Sequence, residues 1–139
     1  MFEFFRVWLI VLGAGIVVGG VAISLLGGTR ASALLDRLID PIFWTDGPDA
    51  GARRYQAWAN GVLGGTMAGW GVMITLLVSQ AYGTRQAWVW WTLALSTALW
   101  YVLDTGQSLR YRVLFNVALN TALLVALAIP LAFTFGEFH

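Results

Sequence analysis

No cysteine and no lysine occur in the 139 residues, and the one histidine is the last residue. The missing cysteine excludes disulfides, thiolate metal sites, iron–sulfur clusters, cysteine nucleophiles and palmitoylation. Without lysine, every basic residue being arginine, a Schiff base to retinal, pyridoxal phosphate or a carbonyl substrate is excluded. His139 alone cannot supply paired haem ligands, and a chain terminus is a poor platform for a zinc site or a Ser–His hydrolase. No cofactor and no metal is therefore expected.

Charge is scarce as well. Charged residues make up 11% of the chain, whereas a soluble domain carries about 25%. With 59% hydrophobic residues, such a chain cannot wet its own surface, and the composition places it in a lipid bilayer as one domain. A net charge of only +1 gives no reason to expect nucleic acid as a partner.

Four apolar stretches, about residues 7–26, 57–79, 88–103 and 113–135, approach the ~20 residues needed to cross a bilayer. Trp8, Trp58, Trp88, Trp90, Trp91 and Trp100 lie toward their ends, where indole rings favour the headgroup zone. The first stretch is too long for the apolar core of a signal peptide, which uses about 7 to 15 residues, so a retained span is expected despite Ala31-Ser32-Ala33 resembling a cleavage site. The fold class is thus all-α, a transmembrane four-helix bundle.

Arginine sets the orientation. The first and third loops hold Arg30, Arg37, Arg53, Arg54, Arg110 and Arg112, against Arg6 and Arg85 on the opposite side. By the positive-inside rule those loops are cytoplasmic and both termini face outward. Within the first loop, Leu34, Leu35, Leu38, Ile39, Ile42 and Phe43 recur in pairs every four positions opposite Asp36, Arg37 and Asp40. This periodicity predicts a short interfacial amphipathic helix between the first two spans, ended or kinked by Pro41; a continuation of the first span folded over the bundle fits the pattern as well. Gly47-Pro48-Asp49 reads as the start of the next helix, with proline at its first position. Asp46-Gly47 and Ala52-Arg53 faintly resemble the paired motifs of alcohol phosphotransferases, but the downstream metal-binding aspartates of those enzymes are replaced by Gly61, Gly65 and Gly69.

Those three glycines stand four apart, with Ala57 and Met73 extending the series. Each costs about 1 kcal/mol of helix propensity relative to alanine, a cost that close helix packing in lipid offsets. The first span offers Gly15 with Gly19, and Gly20 with Ser24, so these two helices are expected to pack on each other, ahead of a homodimer through the same face.

The stretch WYVLDTGQSLRYRVLFNVALN interrupts the apolar pattern. The topology gathers Asn60, Asp104, Gln107, Asn116 and Asn120 at the cytoplasmic side as a candidate ligand-binding cluster, and Arg112, Asn116 and Asn120 stand four apart, as on one helical face. Asp104 near a helix end marked by Thr105-Gly106 opposes the helix dipole. An ion pair with Arg110 or Arg112 would offset that cost, and the asparagines would then serve as interhelical hydrogen-bond donors.

The strings PIFW, RRYQAWANGVLGGTMAGWGV, WYVLDTGQSLRYRVLFN and NTALLVALAIP, spanning most of the chain after residue 40, together resemble a group of small uncharacterised four-span bacterial membrane proteins. The resemblance implies the fold and a bacterial inner membrane, and brings no activity with it.

Paired catalytic carboxylates, a nucleophile with its base and a metal constellation are all absent from the spans. The expectation is a non-catalytic accessory or scaffold subunit of a membrane assembly, with a membrane-protein partner or a second copy of itself. The alternative is a small transporter or channel component with a cytoplasm-facing polar site. Its likeness to small multidrug exporters ends at span number, because their first span carries an acid and this one carries none.

Overall fold

The computed structural model describes residues 1–139, apart from the side chains of Leu34 and Leu35. Five helices follow one another: α1 (Phe2–Leu26), α2 (Ala33–Phe43), α3 (Ala50–Gln80), α4 (Ala87–Arg110) and α5 (Leu114–Thr134). The protein is all-α, and α1, α3 and α5 are long and apolar enough to cross a membrane. The four apolar stretches thus became helices. The first pair of the periodicity noted for the loop helix, Leu34 and Leu35, lies outside the described side chains.

Local rules explain most boundaries. Asp49 caps α3, its Oδ1 accepting from the Ala52 N–H at 2.7 Å, so Pro48 precedes the cap instead of opening the helix. Pro41 stands inside α2, which runs on to Phe43 before the Trp44 N–H closes it on the Asp40 carbonyl at 2.8 Å.

Two compact units divide the chain: Met1–Ala14 with Val72–His139, and Gly15–Gly71. The first unit holds nearly all of the buried apolar core. Leu9, Val78, Val89 and Leu127, from α1, α3, α4 and α5, are each at most 1% exposed. At one end Phe2 stacks on Tyr82, Phe138 packs tilted against both rings, and the Tyr82 hydroxyl meets Thr134 Oγ1 at 2.6 Å. Arg85 joins them, its guanidinium 4.8 Å from the Phe2 ring centre and 2.8 Å from Glu137. Arg6 donates to the carbonyls of Val78 and Ser79 in the last turn of α3, where a cation complements the dipole.

Two tryptophans of this unit bond to the backbone of a neighbouring helix. Trp8 donates its indole N–H to the carbonyl of Ala126 at 3.1 Å, and Trp90 donates to the carbonyl of Leu131 at 2.8 Å. His139 is stacked on Phe135 with ring centres 4.2 Å apart, instead of hanging free.

In the second unit, α1 and α3 meet through small residues. A Cβ on Gly20 would stand 2.5 Å from the Ala68 nitrogen, and one on Gly64 would collide with the Gly20 carbonyl and the Ser24 backbone. Ser24 Oγ donates to the Gly61 carbonyl at 3.0 Å. Gly15, Gly19, Gly65 and Gly69, by contrast, face nothing within 4 Å. The helices do pack on each other, but the expected face was rotated: the contacting positions on α3 are Ala57, Gly61, Gly64 and Ala68. A strict spacing of four drifts around a helix of about 3.6 residues per turn, whereas alternating fours and threes keeps to one side.

A candidate polar site where α4 meets α5

The site begins with the turn that joins its two helices. Thr105-Gly106 does not stop α4, which continues to Arg110. The stop is Arg112, whose φ of 61° puts it in the left-handed region. The Arg112 N–H reaches the Leu109 carbonyl at 3.1 Å and the Val113 N–H reaches the Ser108 carbonyl at 2.8 Å. These two bonds form a Schellman motif, with arginine at the place glycine usually takes. The chain then reverses directly into α5, and residues 104–108 come to face residues 116–120.

Asp104, half-buried, is the hub. Its Oδ1 accepts from Asn116 Nδ2 at 2.7 Å and from Asn120 Nδ2 at 2.8 Å. Each amide shares its remaining N–H with a hydroxyl of α4: Asn116 with Ser108 Oγ at 2.8 Å, Asn120 with Thr105 Oγ1 at 3.2 Å. Ser108 Oγ in turn donates to the Asp104 backbone carbonyl at 2.9 Å. A carboxylate can only accept, so it fixes both amides with nitrogen inward. The network buries Asn120, Thr105 and Ser108, and no buried side-chain nitrogen or oxygen among the described residues lacks a partner.

Of the five side chains expected to converge, three do. Gln107 is exposed and takes no part. Asn60 belongs to the second unit, where it lies against Gly27. The expected ion pair is not formed: among the described residues no arginine pairs with Asp104, and the Arg110 guanidinium lies 5.6 Å from the centre of the Tyr111 ring. Arg112, being in the turn, does not share the α5 face of Asn116 and Asn120. Neutral donors preorganised on the facing helix take the place assigned to an arginine. Thr105 and Ser108 were not foreseen, although Ser108 stands one helical turn from Asp104, the spacing that also relates Asn116 to Asn120.

Chemically, the arrangement is a hydrogen-bond clasp between two helices. Asp104 Oδ2 accepts no hydrogen bond from the described residues, so one carboxylate oxygen stays uncommitted. An apolar groove between the same helices, bordered by Trp90, Ala94, Ala98, Leu124, Ala128 and Ala132, lies toward their other ends.

Comparison with family models, curated proteins and solved structures gives no match for this chain.

Proposed function

We propose that the chain is a four-crossing helical bundle of a bacterial inner membrane, with α2 in the cytoplasmic interface and both termini outward. In this reading it serves as a non-catalytic accessory or scaffold subunit of a larger membrane assembly. Support for α4 as the fourth crossing comes from its length and surface. Its 24 residues extend for about 36 Å at 1.5 Å per residue. Leu95, Leu99, Val102 and Leu103 on it are each more than 60% exposed, which suits lipid and not water.

The observation that carries the scaffold reading is the clasp. Its only acid spends one oxygen on the amides of Asn116 and Asn120 from the facing helix, and the Ser108 hydroxyl beside it is itself committed to the Asp104 backbone carbonyl. Such a network holds helices together. The test is purification of the full chain from bacterial membranes in mild detergent, combined with its deletion. A stoichiometric partner whose own abundance falls on deletion supports the reading. A partner-free protein whose deletion leaves other membrane proteins unchanged overturns it.

The open Oδ2 of Asp104 favours one second reading, a small cation site reached from the cytoplasm as part of a transport route. Asp104→Asn would then abolish cation binding or flux at unchanged expression, and unaltered flux in that variant would retire the idea.

A further inference from the structure

We propose that the groove between α4 and α5 is a binding site for an uncharged, lipid-soluble ring compound bearing a carbonyl, of the quinone class, with the Thr97 hydroxyl donating to the carbonyl oxygen. This goes beyond the scaffold reading and stands whether or not the chain has a protein partner.

The first ground is a hydroxyl without a partner. Thr97, 4% exposed, belongs to the lining of the groove, and its Oγ1 makes no hydrogen bond among the described residues. A helical threonine commonly turns its hydroxyl to the carbonyl four residues back. Here that carbonyl is Leu93's, which already accepts from Ser96 Oγ, at 3.1 Å. No enclosed side-chain oxygen among the described residues lacks a partner, so the Thr97 oxygen is not sealed in, and the groove is the space it lines. In hydrocarbon no water competes for such a donor, and an acceptor brought to it is strongly favoured.

The second ground is the shape and chemistry of the rest of the groove. Ala94 and Ala98 of α4 and Ala128 and Ala132 of α5 give it walls of small methyl groups, and Trp90 borders it toward the start of α4. The Trp90 indole N–H is committed to the Leu131 carbonyl at 2.8 Å, so this side chain offers a ligand only its ring. No charged side chain borders the groove, and a charged ligand would stay unpaired there. Its volume is about 230 Å³, whereas an apolar cavity of about 150 Å³ already takes benzene. A substituted ring fits, and its tail can leave through the open side, where Ala98, Ala128 and Ala132 are exposed.

Other occupants match less well. An acyl chain fills the space but brings no acceptor to Thr97. A second copy would have to lay a helix about 10 Å across in a ring-sized groove, presenting carbonyls already engaged by its own N–H groups.

Equilibrium dialysis of the full chain in mild detergent, against menadione and against methylnaphthalene, tests this, with empty micelles as the reference. The two probes share a ring system and differ in the carbonyls. The chain has neither cysteine nor lysine, so no thiol or lysine amine adds to the quinone. The wild type is expected to hold menadione about tenfold more tightly than methylnaphthalene, as one hydrogen bond allows. Thr97→Val, which keeps the side-chain shape, should remove that preference, and Thr97→Ser should retain it. Ala128→Leu, placed on the exposed rim, should weaken the binding of both probes. The proposal is overturned if the wild type holds the two probes equally, if the preference survives in Thr97→Val, if Ala128→Leu leaves binding unchanged, or if the chain forms a dimer that Ala128→Leu breaks and menadione does not.

Discussion

Trp8 supplies the hydrogen bond that Pro130 takes away. Pro130 lies inside α5 and has no N–H to offer the carbonyl four residues earlier, which belongs to Ala126. The Trp8 indole on α1 donates to that same carbonyl at 3.1 Å. In hydrocarbon no water can stand in, so a proline within a span needs such a donor from a neighbouring helix.

Trp8→Phe keeps most of the ring volume and leaves the Ala126 carbonyl bare, at an expected cost of about 1 to 3 kcal/mol. Pro130→Ala restores a backbone N–H at that position. In the Pro130→Ala background the Trp8→Phe cost should shrink to well under half. Reversible unfolding in mixed detergent micelles measures both, and additive effects would show that the indole bond contributes nothing.

Arg112 offers a gain instead of a loss. Its φ of 61° is a conformation that glycine adopts freely, while a residue with a Cβ is penalised there by roughly 1 to 2 kcal/mol. As no acid is bound to its side chain among the described residues, Arg112→Gly is expected to raise stability by about 1 kcal/mol. A fall in unfolding midpoint in the same detergent assay would mean that the guanidinium has an unseen acceptor.

Glycines of α3 divide sharply between those that matter for packing and those that do not. Gly64→Leu should prevent α1 and α3 from closing, since even a Cβ would strike the backbone of Gly20 and Ser24. Gly65→Leu meets open space, and the gain in helix propensity of about 1 kcal/mol makes it neutral or stabilising. Yield of monodisperse protein after detergent extraction separates the two. Equal yields would contradict the packed face described above.

This contrast shows what the sequence could and could not disclose. Segment lengths and apolar content revealed every long helix, because a bilayer imposes them on composition directly. The rotation of α3 was not legible from Gly61, Gly65 and Gly69 alone, since Gly64 is equally small and only the facing backbone of α1 selects between them. The union of Asp104 with Asn116 and Asn120 was legible from turn spacing on two helices joined by a short loop. Its partner choice was misjudged: Gly106 looked like the helix stop, which would have left Arg110 and Arg112 free to reach back, whereas the stop is Arg112 itself. Likewise, no periodicity reveals that a tryptophan near a span end will answer a backbone carbonyl on another helix.

The clasp around Asp104 can be dissected by removing donors and acceptor separately. Asn120→Leu deletes one donor to Oδ1 and leaves Thr105 Oγ1, buried beside it, without that donor. A bundle hydrogen bond in lipid contributes about 0.6 kcal/mol, at most about 1.7, so Asn120→Leu alone should cost about 1 to 2 kcal/mol. Asn116→Leu with Asn120→Leu removes both cross-helix donors from a charged oxygen, and the expected loss exceeds the sum of the single variants. Asp104→Asn keeps an oxygen that can accept from both amides and should cost less than the double variant. Should Asp104→Asn prove the most damaging of the three in the unfolding assay, the negative charge itself, and not the hydrogen-bond geometry, would be what holds α4 to α5.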